Sequence, residues 1–254
     1  MKIRRSEEYE VLEEVFDKPT LMTIYRMMNH GYIEQLNGVV KSGKESRVYH
    51  ALSRDRNELA VKIYLTVSAE FKKGMIRYIQ GDERFASVRR DSKHLIYLWA
   101  QKEFRNLSTM MANGIRAPKP IHVENNVLIM EFIGENGEPA PLLREAELEA
   151  PGQFYDLLLK TVEALCTKVK LVHGDLSEFN IMIWNNEPVI IDVSQSVPLT
   201  HPLAKELLKR DIDNLNRYFQ KLDVKVRKTE DIAKKLIEDA FPVVELTSTL
   251  SFEE

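Results

Sequence analysis

The sequence predicts an α+β protein with two lobes, a small β-sheet with one long helix followed by a shorter part that is mainly helical. Strand patterns fill residues 36–64 and 121–132, and one strong helical pattern lies between them at 92–113. A break rich in Gly, Pro and Glu over 134–151 separates this half from a run of helical patterns. We therefore expect a ligand-binding cleft between the two lobes.

The first half begins with an amphipathic helix predicted over 19–30. Pro19 suits the first helical position, and Gly31 ends the apolar periodicity. Three strands are expected at 36–40, 47–52 and 59–64. The polar stretch 66–90 that follows contains no element that we predict.

The long helix and the next hairpin complete this half. The helix at 92–113 is expected to stop at Gly114, because glycine readily adopts the left-handed conformation that ends helices. Strand patterns at 121–124 and 127–132 then flank a two-asparagine turn. Beyond the break, helices are expected at 154–169, near 203–222 and at 230–240.

The composition limits the classes of function. With 254 residues, 44% hydrophobic and 30% charged, the chain can form one large domain or two small lobes. A net charge of −3 gives no global electrostatic argument for nucleic acid, so such an argument must be local. The single cysteine, Cys166, excludes an intramolecular disulfide and a Cys-rich zinc site. With neither a membrane span nor a secretory leader recognised, we expect a cytoplasmic protein without a disulfide-linked partner.

The strongest chemical signal lies around a second predicted hairpin. Asn180 precedes the apolar strand 181–184, the pair Asn185-Asn186 tolerates the positive φ of a tight turn, and the returning strand delivers Asp192. A hairpin brings its open ends together, so Asn180 and Asp192 should lie side by side. Their amide and carboxylate oxygens are the hard ligands that Mg²⁺ or Mn²⁺ prefers.

Asp175, just before this hairpin, is free to face a hydroxyl or water nucleophile. A loop aspartate, a metal-binding asparagine and a second metal-binding aspartate form the arrangement that protein kinases use for phosphoryl transfer from ATP. The alternative is that Asp175 and Asn180 only cap a loop and that Asp192 only ends a strand.

Lys62 and Glu103 are two charged residues in apolar patterns. Lys62 interrupts the strand Ala60-Val61-Lys62-Ile63, and a buried lysine is costly without an anionic partner. Glu103 falls inside the apolar stripe of the long helix. A Lys62–Glu103 pair that directs the lysine toward the phosphates of ATP explains both residues. Separately, Lys62 could snorkel from an edge strand and Glu103 could be partly exposed.

Two further stretches are candidates for nucleotide contact. The loop Ser42-Gly43-Lys44-Glu45-Ser46 lies between two strands, where it could cover phosphates together with Val48. Taken alone, this loop favours an ordinary polar turn, and its position relative to Lys62 is what favours nucleotide contact. The strand that ends at Ile133 would form the hinge, with the backbone of Glu131 and Ile133 at the adenine edge and Met130 behind the ring. A plain buried strand is the alternative, and both descriptions can hold together.

These motifs together resemble the RIO family of atypical protein kinases, and in particular its Rio-one branch. The resemblance is carried by Ser42–Ser46, Leu59–Tyr64, Lys102–Leu107, Leu171–Asn180 and Ile191–Val197, with His201-Pro202 beyond them. The string Asp-Val-Ser-Gln-Ser-Val is the most specific, because His-Gly-Asp is shared with aminoglycoside and choline phosphotransferases. The motifs cover nearly the whole chain in family order, and an archaeal source is expected.

The resemblance implies a single two-lobed kinase domain that binds ATP with Mg²⁺ or Mn²⁺. It implies an N-terminal helical extension at 1–32, an N-lobe at 33–133, a hinge and linker at 134–152 and a truncated C-lobe at 153–254. Members autophosphorylate on serine and are implicated in maturation of the small ribosomal subunit. Some hydrolyse ATP through a phospho-aspartate, which would be Asp192 here.

The same resemblance assigns roles to the charged residues. Lys62 would hold phosphates, Glu103 would hold Lys62, Asp175 would be the catalytic base, and Asn180 and Asp192 would be the metal ligands. About ten residues separate Asp192 from the next helical pattern at 203. That leaves no room for an activation loop or for a usual peptide platform, so a large assembly such as a pre-ribosomal particle is the expected partner.

The stretch 66–90 is a local candidate for rRNA binding. It mixes basic and aromatic side chains, which suit contacts with phosphates and bases. A solvated loop is the alternative. Ser87 lies beside Arg89 and Arg90 and is the predicted autophosphorylation site.

Two other functions stay open at this stage. One is a small-molecule phosphotransferase of the aminoglycoside or choline kinase type, against which the short C-terminal portion argues. The other is a non-catalytic nucleotide-sensing scaffold, against which the retained Lys62, Asp175, Asn180 and Asp192 argue.

Overall fold

The first half of the molecule is built on one antiparallel sheet. In this computed structural model the described residues are 16–65, 69–85 and 92–240, excluding the side chains of 69–73 and 92–93. The strands are β1 Gln35–Ser42, β2 Ser46–Leu52, β3 Glu58–Tyr64, β4 Pro120–Glu124 and β5 Val127–Glu131. They form one sheet in the order β1-β2-β3-β5-β4. The register pairs Lys62 of the central strand β3 with Val48 on one side and Leu128 on the other.

The two faces of this sheet bury different partners, because side chains alternate along a strand. Helix α1, Lys18–Asn29, has Asp17 as its N-cap, and the Asp17 side chain accepts a hydrogen bond from the Thr20 N–H (3.0 Å). It packs Ile24 and Met27 against one face. The other face meets α3, Ser92–Ala112, and this is the face to which Lys62 points.

The helices and strands predicted for residues 19–132 are confirmed, with one correction, whereas residues 1–15 of the predicted N-terminal extension lie outside the described residues. Helix α2, Ala69–Ile79, lies in the polar stretch for which we predicted no element. Its buried Met75 and Ile79 pack against Leu95 and Trp99 of α3. The charged residues around these few apolar positions obscured the helical period, and the contact with α3 supplies the stabilisation. Ser87, the predicted autophosphorylation site, lies outside the described residues.

The second half is mainly helical, with short strands that carry the polar motifs. It begins with a small ribbon formed by β6 Gly134–Glu135 and β7 Glu138–Pro139. The helices are α4 Pro151–Ala164, which continues into a π-helical turn Leu165–Val169, α5 Ala204–Gln220 and α6 Thr229–Ala240. The short strands between α4 and α5 are β8 Leu171–Val172, β9 Ile181–Trp184, β10 Glu187–Ile190 and β11 Val197–Pro198. The predicted break therefore contains a ribbon, and α4 starts three residues earlier than expected, at Pro151.

A continuous apolar core joins the two halves. It runs from Leu107 and Leu128 in the first half to Leu158, Leu207 and Phe219 in the second. Hairpin β9–β10 also joins them, because the Ile190 N–H donates to the carbonyl of Arg116 (3.0 Å). Among the helices of the described residues, none combines the length and the apolar character that a bilayer span requires.

Candidate active site

A cavity of about 650 Å³ opens between the sheet and the second half of the chain. The predicted nucleotide contacts that line it are Gly43, Lys44, Ser46, Val48, Lys62, Met130, Glu131 and Ile133. Glu103 and Asp192 also line it. Ser42 does not belong to the lining and is exposed at the end of β1. The predicted phosphate-covering loop and the predicted hinge thus face one space.

Lys62 is the ionic centre of the cavity wall. Its Nζ lies 2.8 Å from the Glu103 carboxylate and 2.8 Å from Asp192 Oδ1, and only 4% of the residue is exposed. Burial lowers the pKa of Lys62, but the two carboxylates outweigh this effect and raise it. The lysine is therefore charged and is held between α3 and the second hairpin.

Glu103 is almost completely buried, at 1% exposure. The Tyr64 hydroxyl donates to its carboxylate, in addition to Lys62. Burial raises the pKa of Glu103 to about 7, although the neighbouring Lys62 opposes the rise. The ionised form of this buried carboxylate is stabilised by the charge of Lys62. The position of Glu103 in the apolar stripe of α3 had already indicated such a partner.

Asp192 extends from the end of the second hairpin into the cavity. Its backbone is left-handed, at φ 59° and ψ 57°, a conformation that few non-glycine residues adopt. Lys62 and the Ser194 hydroxyl (3.3 Å) both contact Oδ1, which leaves Oδ2 for another ligand. Burial raises the pKa of Asp192, but the nearby Lys62 lowers it by more, so that the net pKa is below the usual value. The carboxylate is therefore ionised.

The second hairpin places Asn180 beside Asp192 through the backbone. Asn185 and Asn186 have φ of 54° and 62°, as the predicted turn requires, and β9 pairs with β10 in register. The Ile191 N–H donates to the Asn180 carbonyl (3.0 Å). The Asn180 side chain donates through Nδ2 to the Asp175 carbonyl (2.8 Å) and to Asp175 Oδ2 (3.3 Å). Its amide oxygen then remains for a metal ion.

These oxygens fit a magnesium-type ion that completes its shell with phosphate and water. Within the described residues, the side chains of His, Cys, Asp and Glu nowhere form a group of three that could hold a metal. Mg²⁺ commonly takes one or two carboxylates together with substrate phosphates, and keeps several waters. Asp192 and Asn180 supply such a partial set.

Side-chain and backbone hydrogen bonds hold the predicted hinge in place. Arg116 donates to both oxygens of Glu131 (2.9 and 2.8 Å). The Glu131 N–H donates to the Lys119 carbonyl (2.8 Å), and the Ile133 carbonyl accepts from the Ala140 N–H (2.9 Å). A bound base would therefore have to use the Glu131 carbonyl and the Ile133 N–H.

His173 connects the loop before Asp175 to the hairpin. Its Nε2 lies 3.1 Å from the Ile191 carbonyl, and its Nδ1 accepts from the Asp175 N–H (3.2 Å). Burial lowers the pKa of His173 to about 4. A neutral ring with these two bonds orients the loop, and it has no proton to release near neutral pH.

Two residues that support the Asp175 loop were not predicted from the sequence. Asp211 of α5 is 1% exposed and accepts from the N–H groups of Gly174 and Leu176, both at 2.8 Å. The guanidinium of Arg210 donates to the Gly174 carbonyl. The signal for Asp211 was an acid on the apolar face of a helix, the same signal that revealed Glu103.

Glu45 is a third acidic residue of the cavity that our sequence prediction left without a role. It lies in the loop between β1 and β2 and lines the cavity. Burial raises its pKa, and the negative charges of Asp192 and Asp175 act in the same direction. Glu45 therefore shares the cavity wall with Asp192, whereas Asp175 and Asn180 lie outside the lining.

We expect His173 to make stability depend on pH below neutrality. Its pKa of about 4 in the native state lies below the ordinary value of about 6.5 in the unfolded chain. The unfolded chain therefore takes up a proton that the native state excludes. This contribution to the free energy of unfolding is fully present above pH 6.5. It decreases by about 3 kcal/mol as the pH falls to 4.

Urea unfolding of the wild type and of His173→Gln at pH 7.5 and pH 4 measures this contribution. The difference in unfolding free energy between the two proteins should shrink by about 3 kcal/mol at the lower pH. The exposed Asn29→Gln, which changes no titratable group, is the control and should show a constant difference. A constant difference for His173→Gln as well would contradict the assignment.

Comparison with known proteins places this site in a family. The chain matches the model of the RIO domain over residues 47–232. The RIO-type serine/threonine-protein kinase Rio1 of Haloferax volcanii is 37% identical over 221 residues, covering 87% of this chain and 76% of that protein. The serine/threonine-protein kinase RIO1 of Caenorhabditis elegans is 36% identical over 246 residues, covering 95% of this chain and 48% of that protein. The chain is thus about half the length of this second relative.

A solved structure shows the same fold. It is the Rio2 kinase–ADP/Mg²⁺–phosphoaspartate complex from Chaetomium thermophilum, with a TM-score of 0.67, 20% sequence identity, and coverage of 87% of this chain and 67% of that chain. The likeness confirms the predicted two-lobed α+β fold. The similarity to Rio1 kinases confirms the resemblance that the sequence motifs indicated.

Proposed function

The chain belongs to the RIO family of atypical serine/threonine-protein kinases, and we propose that it transfers the terminal phosphate of ATP in the cavity described above, with a divalent metal ion. One observation carries this proposal. A buried lysine, charged and held at 2.8 Å by two carboxylates, lies on the wall of a cavity of nucleotide size. Phosphates are the ligands that such a lysine suits.

Each polar side chain then has a role in phosphoryl transfer, which depends mainly on position and charge. Lys62 binds phosphate oxygens and reduces their negative charge. Asp175 accepts the proton of the attacking hydroxyl, and burial raises its pKa in the direction that suits a base. The negative charge of Asp192 acts in the same direction, whereas Arg210 opposes it.

Asn180 and Asp192 would hold Mg²⁺ or Mn²⁺ through the amide oxygen and the carboxylate. When bound, the ion neutralises charge on the phosphate oxygens. The Rio2 structure, which contains ADP and Mg²⁺, supports this proposal for the family. The proposal that Mn²⁺ can replace Mg²⁺ rests only on the chemistry of the oxygen ligands.

Asp192 is also our candidate for a phospho-aspartate. Its carboxylate oxygen would attack the terminal phosphorus, the bond from phosphorus to the ADP oxygen would break, and water would later hydrolyse the acyl phosphate. The phosphoaspartate of the Rio2 complex supports the reaction class. If this covalent step does not occur, Asp192 acts only as a metal ligand, and a serine accepts the phosphate directly from ATP.

The acceptor and the partner are proposed from the family resemblance. We propose autophosphorylation on serine, with Ser87 as the site, and a role in maturation of the small ribosomal subunit through a pre-ribosomal particle or its rRNA. The exposed Arg105 of α3 supports a contact with RNA phosphates, as does the exposed Arg77 of α2, although Arg77 also pairs with Glu206 (2.8 Å). Filter binding of small-subunit rRNA at increasing salt tests this contact.

The variant Asp192→Asn tests the central proposal. Asparagine tolerates the left-handed backbone, so the fold should persist while the carboxylate charge is lost. We expect Mg²⁺ to tighten the binding of a non-hydrolysable ATP analogue to the wild type but not to the variant, as measured by calorimetry. Asp223→Asn is the matched control, because Asp223 is also left-handed (φ 58°) and is exposed outside the cavity lining. Metal enhancement that survives in Asp192→Asn would place the ion elsewhere.

A further inference from the structure

Lys102, the residue before Glu103, is buried without an obvious reason. It is 0% exposed, and its amine donates to the carbonyls of Ser194 (3.0 Å) and Ser196. Within the described part of the chain, no carboxylate forms an ion pair with it. Burial lowers the pKa of Lys102 to about 7. A buried lysine that contacts carbonyls is expensive, since a leucine or methionine would fill the same space at lower cost.

Asn106, one helical turn further along α3, donates to the same segment. Its Nδ2 lies 2.7 Å from the Val193 carbonyl and 3.2 Å from the Ser196 carbonyl, and the residue is 0% exposed. Its amide oxygen accepts from Arg84 (2.9 Å), so the orientation of the amide is fixed. Two buried side chains of one helix face thus bind three carbonyls of a single turn.

The turn that they bind comes directly after Asp192. It is the 3₁₀ turn Val193–Gln195, which begins from the left-handed backbone of Asp192. The left-handed conformation costs a non-glycine residue free energy, so contacts that hold the following backbone help to keep it. Its own hydrogen bond joins the Ser196 N–H to the Val193 carbonyl (3.1 Å), and a short 3₁₀ helix leaves its later carbonyls unpaired. The donors on α3 supply what the turn lacks.

We propose that Lys102 and Asn106 are positioning residues, which hold the backbone after Asp192 and thereby aim its carboxylate into the cavity. The proposal deepens the proposed function and rests on it, because the carboxylate so aimed is the metal-binding and phosphate-facing group. Helix α3 would then position both charged groups of the site. Glu103 holds Lys62, and Lys102 and Asn106 hold the backbone after Asp192.

The test compares Lys102→Met and Asn106→Ala with the wild type, using the full chain. Methionine fills the space of the lysine stem but donates no hydrogen bond. The first measurement is amide hydrogen exchange of the peptide that covers 190–197, without nucleotide or metal. The second is the Mn²⁺ concentration that half-saturates binding of a non-hydrolysable ATP analogue.

We expect exchange at 190–197 to become at least tenfold faster in both variants. We also expect the Mn²⁺ midpoint to rise about 10- to 100-fold, as for other residues that orient a metal ligand. Binding of the analogue without metal should stay within about threefold of the wild type. If one variant does not fold, the other provides both measurements.

Asn216→Ala is the matched control for a general loss of stability. Asn216 is also buried, at 7% exposure, donates to the Arg227 carbonyl (2.9 Å) and accepts from Tyr155 (2.7 Å), remote from the cavity. It should lower the melting temperature without changing exchange at 190–197 or the Mn²⁺ midpoint. Wild-type exchange at 190–197 in both Lys102→Met and Asn106→Ala would overturn the proposal. If the wild type itself shows no metal-dependent binding, the proposed function fails, and the exchange data still decide whether the two residues hold the turn.

Discussion

Replacing Lys62 with methionine is expected to destabilise the protein by about 3–5 kcal/mol and to abolish tight binding of ATP. The loss of stability arises because Glu103, at 1% exposure, would keep a buried carboxylate without its partner. The loss of binding arises because the cavity wall would lose the buried cation that Glu103 and Asp192 hold at 2.8 Å each. Urea unfolding and calorimetry with ATP and Mg²⁺ measure the two effects separately.

The pH dependence of the destabilisation identifies its cause. Burial already raises the pKa of Glu103 to about 7 in the presence of Lys62, and loss of the lysine should raise it further. The native variant would then bind a proton that the unfolded chain, with a glutamate pKa of about 4.3, releases. Stability of Lys62→Met is therefore lost as the pH rises, and the destabilisation should be smaller at pH 5 than at pH 8.

A double variant separates structure from function. Lys62→Met with Glu103→Leu replaces the buried pair by apolar groups and should recover much of the lost stability, because desolvation of the pair is also removed. It should still fail to bind ATP. The exposed Lys119→Met is the matched control and should change stability by less than about 0.5 kcal/mol. Tight ATP binding by the double variant would show that Lys62 does not hold phosphates.

Replacing Asp175 with asparagine is expected to reduce ATP turnover and autophosphorylation by about 10²- to 10⁴-fold, the usual contribution of a general base. Asparagine keeps the size of the side chain, and Asn180 can still donate to the Asp175 carbonyl (2.8 Å). The dissociation constant for ATP with Mg²⁺ should therefore remain within about threefold. This pattern, a lower rate with unchanged binding, separates a catalytic base from a nucleotide-sensing scaffold.

The control for this variant is Asp55→Asn, an exposed aspartate in the turn between β2 and β3. It carries the same chemical change and should turn over ATP at the wild-type rate. The measurements are initial rates of ADP release and of phosphate incorporation from labelled ATP. Undiminished rates in Asp175→Asn would assign the base to another residue.

The parts of the site that the sequence predicted were those governed by local rules. Two asparagines specify the turn between β9 and β10, and the strand period then fixes which residues meet across it. That geometry is sufficient to place Asn180 next to Asp192. Glu103 could be recognised because an acid in an apolar helical stripe demands a cation, and Lys62 was the cation in a matching position.

The parts that the sequence did not predict depend on contacts between distant segments. Lys102 also lies in the helical motif of α3, but its acceptors are backbone carbonyls some ninety residues away, and carbonyls leave no trace in the sequence. Asp211 likewise binds backbone N–H groups of another segment. Helix α2 was missed because charged residues and Gly74 interrupt its apolar positions, and its stability comes from packing against α3.

We propose that Lys62, Asp175, Asn180 and Asp192 converge on a triphosphate and its divalent ion. A crystal structure with a non-hydrolysable ATP analogue and Mn²⁺, read through the anomalous signal of manganese, tests it most directly. We predict a manganese peak about 2–2.5 Å from the Asn180 amide oxygen and from an Asp192 carboxylate oxygen, with Lys62 on the phosphates and the terminal phosphate facing Asp175. A manganese peak away from both residues, or a nucleotide bound outside this cavity, would contradict the account.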